Sequence, residues 1–485
     1  MTKSGTIHGG VLLPEIDSSP PQTNLAPRDV EGLISELHDY HALFGPLFQR
    51  AEQRRWALKY MEGLLLDIER KSIEPLARAV EGGEVRDMQH FIGAGAWDDA
   101  RILQLHRRLV QETLGSADAV LIVDDSGFPK QGKDSVGVAR QYLGVTGQVD
   151  NCQVGVFVGY ASSRGHTLVD RRLYVPRQWF TPDYARRRQR CGVPDGLKFQ
   201  TKHQLAWEMI SELLDEQQLR FGWVLCDEGY GDTPEFLDRL DSKGLRYLAE
   251  VPVTTRVWLE RPGTRVPSRR GKPGRPPTRE CLVPESPAPK RVDAVAQELP
   301  AESWQRALIK EGAKGPMIAE FASLRVVVVR NGLPGPEAWL IFRRSIPESG
   351  NKPELKCYLS NAAASTPLSE FARVSGMRWP IETTFRESKN ELGLDHYETR
   401  SWKGWHHHVT LTMLAHHFLV RLRLRLGDKA PALTVPQVRV LLSSVLPKRE
   451  FDARAAIEMV GQIQLRNHAA YLSHRKRTIQ RLDTS

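Results

Sequence analysis

From Val30 to about Gly115, apolar residues recur every three to four positions. They run Leu33, Leu37, Leu43, Phe44, Leu47 and Phe48, then Trp56, Tyr60, Met61, Leu64 and Leu65. That spacing is one face of an α-helix, and it predicts an all-α domain over residues 29–116. Residues 1–28 are rich in Pro, Ser and Thr, have no periodicity and are expected as a disordered tail. Past residue 117 the pattern changes to short apolar runs, the mark of buried strands. These are Ala119–Asp125, the Gly137–Gly144 region, Gln153–Tyr160, Leu168–Val175, Phe221–Cys226 and Leu245–Val251, with helices expected at Lys202–Glu216 and Pro234–Ser242.

Three early strands, a helix, then strands alternating with helices match the order of an RNase H-like α/β core. Its first part is expected over 117–251. Residues 252–360 break the pattern. They hold the basic stretch Arg269-Arg-Gly-Lys-Pro-Gly-Arg-Pro-Pro277 and strand-like runs at Leu324–Val329, Ala338–Phe342 and Leu355–Leu359. This is expected as a β-rich insertion, with the second part of the core at 361–425. Residues 426–485 read as a helical, basic C-terminal region.

Charge sharpens this picture. The chain of 485 residues carries a formal +10, and from Ser401 to Ser485 there are 14 Lys and Arg against 5 Asp and Glu. Such a balance favours an anionic partner. Arg54 and Arg55 interleave with the N-terminal apolar set, so 29–116 is expected as a DNA-binding domain beside the plainer reading of solvated charge, and Arg475, Lys476 and Arg477 are expected as further DNA contacts. Arg275 lies in a Gly-Arg-Pro core of the kind that can occupy a narrow minor groove, beside the plainer reading of a solvated linker. Five widely spaced cysteines with no C-x-x-C pair argue against a zinc module and for a reducing compartment. No apolar run approaches the ~20 residues of a membrane span. His406, His407, His408, His416 and His417 alternate with apolar residues and read as helix-packing histidines rather than ligands.

The candidate chemistry is acidic. Asp124 and Asp125 follow the run Ala119–Val123, and Asp227 follows Phe221–Cys226. In α/β sheets ligands gather at such strand ends, although Asp before Gly is also ordinary turn chemistry. Glu382 stands in Arg378-Trp-Pro-Ile-Glu382, with Lys389 beyond. Pro380 suits a helix's first turn. Offsets of four and eleven residues fall about 40° and 20° round a helix from Arg378, so one face carries both cations and the acid. Carboxylates from two strands and a helix suit a hard divalent cation and phosphate oxygens.

Ordered stretches then carry a family resemblance over roughly Phe44 to Phe418. They are Val123-Asp-Asp-Ser-Gly-Phe-Pro-Lys-Gln-Gly132, Ser135-Val-Gly-Val-Ala-Arg-Gln-Tyr142, Asn151-Cys-Gln-Val-Gly-Val156, Asp227-Glu-Gly-Tyr-Gly231, Arg378-Trp-Pro-Ile-Glu382 and Lys389-Asn-Glu-Leu-Gly-Leu-Asp-His-Tyr397. The chain resembles a DDE transposase of the insertion-sequence 701 family, in the wider IS4-like group. The resemblance implies an RNase H-like catalytic core and cutting and joining of transposon ends with Mg²⁺, or Mn²⁺ in its place. It implies Asp125, Asp227 and Glu382 as catalytic metal ligands, Asp125 being preferred to Asp124 because the family's Asp immediately precedes Ser or Thr. It implies DNA contacts at Arg378, Lys389 and Lys130, while the family's Tyr before Arg378 is Ser375 here. The expected partners are double-stranded DNA, as inverted repeats and target, and a second protomer in a homodimeric synaptic complex. The expected place is a bacterial cytoplasm, at the nucleoid when DNA-bound. A domesticated, non-transposing DNA-binding protein and a simple endonuclease of the same fold are the alternatives.

Overall fold

The computed structural model describes residues 5–8, 11–14, 19, 21–144, 146–267, 278–312, 315–346, 353–450 and 452–482. Among these, one mixed sheet of 12 strands runs through the molecule. Its centre is β1 (Val120–Pro129), which pairs antiparallel with β3 (Gln148–Ser162) along its whole length, from Val120↔Ala161 to Pro129↔Cys152. The hairpin strands β2 (Ala139–Leu143) and β4 (Gly165–Tyr174) flank β3. On its other side β1 runs parallel to β5 (Trp223–Cys226), and β5 parallel to β6 (Tyr247–Val251). Pairing of β1 with β5 stops at Val123↔Cys226, so Asp124 and Asp125 sit just beyond the parallel ladder while remaining mid-strand in the antiparallel one.

Of the strands in 252–360, Thr264–Arg265 and Cys281–Leu282 pair as a separate two-stranded ribbon. β7 (Arg256–Trp258), β8 (Gln305–Gly312), β9 (Gly315–Arg330), β10 (Leu333–Ser345) and β11 (Leu355–Ser360) continue the large sheet, with β11 antiparallel to β6 through Cys357↔Val251. Without β11 the buried β6 would present unpaired backbone groups. The tail expected over 1–28 also holds order. Gly5–His8 and Val11–Pro14 pair as a hairpin, with Val11 buried and the second strand packed against β8.

Helices cover both faces. α1 (Leu33–Phe44), α2 (Ala51–Leu65), α3 (Asp99–Leu114), α4 (Ala185–Cys191) and α5 (Lys202–Glu216) precede β5. α6 (Trp379–Leu392), α7 (Trp402–Leu426) and α8 (Ala453–Leu482) follow the sheet. α7 is buried all round from Gly404 to Val420, its histidines and threonines included. It joins the N-terminal helices to the sheet. His408 shares a 2.8 Å hydrogen bond with Tyr60, His417 one of 3.1 Å with Tyr40, and His407 donates to the Ile92 carbonyl at 2.9 Å. Among the described residues no helix is long and apolar enough to cross a membrane.

Candidate active site

Side chains alternate along a strand, and the two sides of β1 pack into different cores. Val120, Ile122 and Phe128 pack with Phe157, Ile381, Phe385 and Trp405, whereas Leu121 and Val123 pack with Val156 and with Leu205, Ala206 and Met209 of α5. Asp124 therefore lies on the face covered by α6, and Asp125 on the face covered by α5. Neighbouring strands repeat the rule. Leu225 and Leu248 belong to the α6 side, which places Asp227 and Glu250 there as well. α6 reaches this face closely, because a Cβ at Gly159 of β3 would already stand 3.2 Å from Ile381 Cδ1.

Arg378, at the start of α6, gathers the acids of that face. Its Nη2 donates to Glu382 Oε1 at 3.0 Å, its Nη1 lies 3.7 Å from Asp124 Oδ2, and its Nε lies 3.7 Å from Glu250 Oε2. Lys356 of β11 holds the other Glu250 oxygen at 2.9 Å. Asp125 instead pairs with Lys202 at the start of α5. Asp227 caps the turn Glu228–Gly231, its Oδ1 accepting from Tyr230 N at 3.2 Å, so the turn chemistry and the acid cluster use the same side chain.

These carboxyls crowd one another. Burial first, then the charge of Asp227, pushes the Asp124 carboxyl up to about 8, against the pull of Arg378. Burial and the Asp125 charge raise that of Asp227. Glu382 is the most open of the set at 38% side-chain exposure. Beside it Lys310 of β8, its ammonium weakened by burial, lies 5.5 Å over the ring of exposed Trp379.

A divalent cation fits this donor set. Four carboxylates on that face, Asp124, Asp227, Glu250 and Glu382, lie with Arg378 and Lys356, and all the donors are hard oxygens. Raised carboxyls are what a bound cation would relieve. The acids are not drawn into a single tight shell, however. Among the described residues the group with its ligand atoms all within 4.8 Å of one another is His166, Glu387 and His416 on the far side of α6. That group is already hydrogen-bonded, His416 to Glu387 at 3.0 Å and to Thr167 at 3.1 Å, and His166 to Thr384 at 2.7 Å.

The sequence-predicted residues divide accordingly. Asp124 and Glu382 meet Arg378, with Asp227 on the same face, while Asp125 is held by Lys202 across β1 and its charge still acts on Asp227. Glu250, Lys202 and Lys356 were missed, although a lone acid inside the apolar run Tyr247–Val251 was a visible signal for Glu250. Lys389 does not project along a groove. Its Nζ donates to the Gly127 carbonyl at 3.1 Å and lies 5.5 Å over Phe128. Lys130 likewise folds back onto Tyr397, donating to its carbonyl at 3.1 Å and lying 3.6 Å from its ring centre, and burial lowers its ammonium to about 8. Ser375 is buried, with its hydroxyl donating to the Ala372 carbonyl. Arg54 and Arg55 are exposed on α2, with Arg55 stacked 4.8 Å over Trp56. Arg475 and Lys476 are exposed on α8. Arg275 and the Arg477 side chain lie outside the described residues.

The chain is 28% identical over 228 residues to the "Probable transposase for insertion sequence element IS701" of Microchaete diplosiphon, a match covering 46% of this chain and 56% of that protein. It thus spans little more than half the length of that relative. Residues 43–316, more than half the chain, match the family described as "DDE superfamily endonuclease". That span holds Asp124, Asp125 and Asp227 and ends before Glu382. On this match the chain belongs to the DDE superfamily endonucleases.

Proposed function

We propose that the protein is a transposase that binds the inverted repeats at transposon ends, cuts the DNA there and joins the freed ends to a target. The observation that carries the reading is the Arg378 fork, which draws Asp124, Glu250 and Glu382 from three elements onto the face that also bears Asp227. The β1–β3–β4 antiparallel set followed by parallel β5 and β6 has the strand order of an RNase H-like core, which supports the same reading. Asp124, Asp227 and Glu382 would hold Mg²⁺, or Mn²⁺ in its place, and bound metal makes water and a 3′-hydroxyl reactive toward a phosphodiester. Glu250 and Lys356 set the pose of Arg378. When a cation takes the carboxylates, the freed guanidinium is placed to receive phosphate as a planar fork. Asp125, held by Lys202 on the opposite face, supports β1. Two protomers pairing two ends make the working assembly.

The test is cleavage of a labelled duplex carrying the element's end, with Mg²⁺. Asp124→Ala, Asp227→Ala and Glu382→Ala are each expected to abolish cutting while leaving duplex affinity within about threefold, since affinity rests on phosphate contacts elsewhere. Asp125→Ala is expected to keep measurable cutting. Loss in Asp125→Ala with activity in Asp124→Ala would return the first ligand to Asp125.

A further inference from the structure

Between β4 and α5 the chain makes two short turns, Arg177–Phe180 and Pro182–Tyr184, and then α4. This segment and the loop after it carry Arg177, Arg186, Arg187, Arg188, Arg190 and Lys198 against Asp183 and Asp195. Among the described residues none of these six cations forms an ion pair. Some arginines elsewhere are tied down, as Arg107 is to Asp170 and Glu216, and Arg330 to Asp238.

What holds several of these cations is aromatic. Arg177 lies 4.6 Å over Phe199, Arg187 4.7 Å over Tyr184, and Arg188 5.7 Å over Phe180. The platform is anchored, because Trp179 is fully buried beside Tyr184 and donates to the Val138 carbonyl at 2.9 Å, while Phe180 meets Phe199 edge-on. Stacking fixes a guanidinium plane and leaves its N–H edge free, so the planes are set before any anion arrives. A simply solvated charge run would not need that platform. The position also matters. Phe199 stands three residues before Lys202, which pairs with Asp125, the immediate neighbour of Asp124 on β1, and lies 5.9 Å over Tyr174 at the end of β4.

We propose that Arg177–Lys198 is a phosphodiester-binding site that seats the DNA duplex flanking the scissile bond. The inference rests on the transposase reading and adds to it a surface that carries most of the backbone contact near the acids. Phosphate contacts of this kind fix register and orientation without reading sequence.

The experiment uses the full chain and two duplexes of equal length, one with the element's end and one unrelated, titrated across a salt series. Arg186→Gln/Arg190→Gln/Lys198→Gln alters exposed cations outside the stacks and should leave the melting temperature unchanged. It is expected to weaken both duplexes at least about tenfold near physiological salt and to flatten the salt slope by about 1 per cation removed. A Lys version of the two arginines, Arg186→Lys/Arg190→Lys, should restore most of the slope. Unchanged affinity and slope in a folded triple variant would overturn the site, as would equal loss in the Lys version. A wild-type chain that binds neither duplex would instead overturn the transposase reading, and preferential binding of an RNA strand over both duplexes would overturn the assignment to DNA.

Discussion

Lys389 ends its stem on the Gly127 carbonyl, two residues past Asp125, with its ammonium weakened by burial. That bond ties the Glu382 helix to the acidic strand. Lys389→Met keeps the stem and removes that bond, so unfolding should be easier by about 1–2 kcal/mol, the scale of a hydrogen bond to a charged group less its burial penalty. Cleavage should fall with it, while duplex affinity and its salt slope stay put. A slope flatter by about 1 with unchanged stability would instead mark Lys389 as a phosphate contact. The same distinction applies to Lys130 on Tyr397, where the ring and the carbonyl already account for the ammonium.

At the level of elements, the Asp227 turn works because it lies flat on β6. A Cβ at Gly231 would stand 1.9 Å from the Glu250 carbonyl oxygen, backbone that cannot step aside. Gly231→Ala should therefore push the turn off the strand and lower cleavage at least tenfold without touching a carboxylate. Normal cleavage in a variant of unchanged melting temperature would show that the turn tolerates the shift. The sequence made these elements readable to different degrees. Pro380 marked the start of α6 at Trp379, and Lys202–Glu216 was legible as a helix. The extension of β1 through Gly127 to Pro129 was not, because those residues signal a turn locally and only pairing with distant β3 overrides it. Nor could the face of either Asp be read. Ala119–Val123 is apolar at every position, so it carries no alternation to say which of two adjacent acids meets α6. The continuation of the sheet from β6 into β11 joins residues about a hundred positions apart, a pairing no local pattern specifies.

Across the whole molecule, the helix that joins the two halves of the fold also sets its response to acid. Burial holds His41 and His407 down to about 4, His106 to about 4, His406 and His408 to about 3, and His417 well below its ordinary value. Each stays neutral when folded and takes a proton when unfolded once the pH falls below about 6.5. Folded values lower than unfolded ones mean that stability drops as pH falls from about 6.5 toward 4, by up to about 1.4 kcal/mol per pH unit for each proton not matched in the fold. Asp124 opposes this, since its carboxyl, raised to about 8, holds a proton in the fold that the unfolded chain gives up, and the upward shift of Asp227 acts in the same sense. Glu36 and Glu216 are raised as well, and His166, lowered to about 4, and His396 join the other six, so eight lowered histidines stand against four raised carboxyls; Lys71 and Lys130, lowered to about 7 and about 8, are largely protonated in both states across that window. The urea midpoint of the metal-free protein should therefore fall steeply between pH 6.5 and 5, and His106→Asn/His417→Gln should flatten that fall if the variant folds. A midpoint flat across this range in the wild type would mean that the α7 histidines take up protons without unfolding the helix that binds the two halves together.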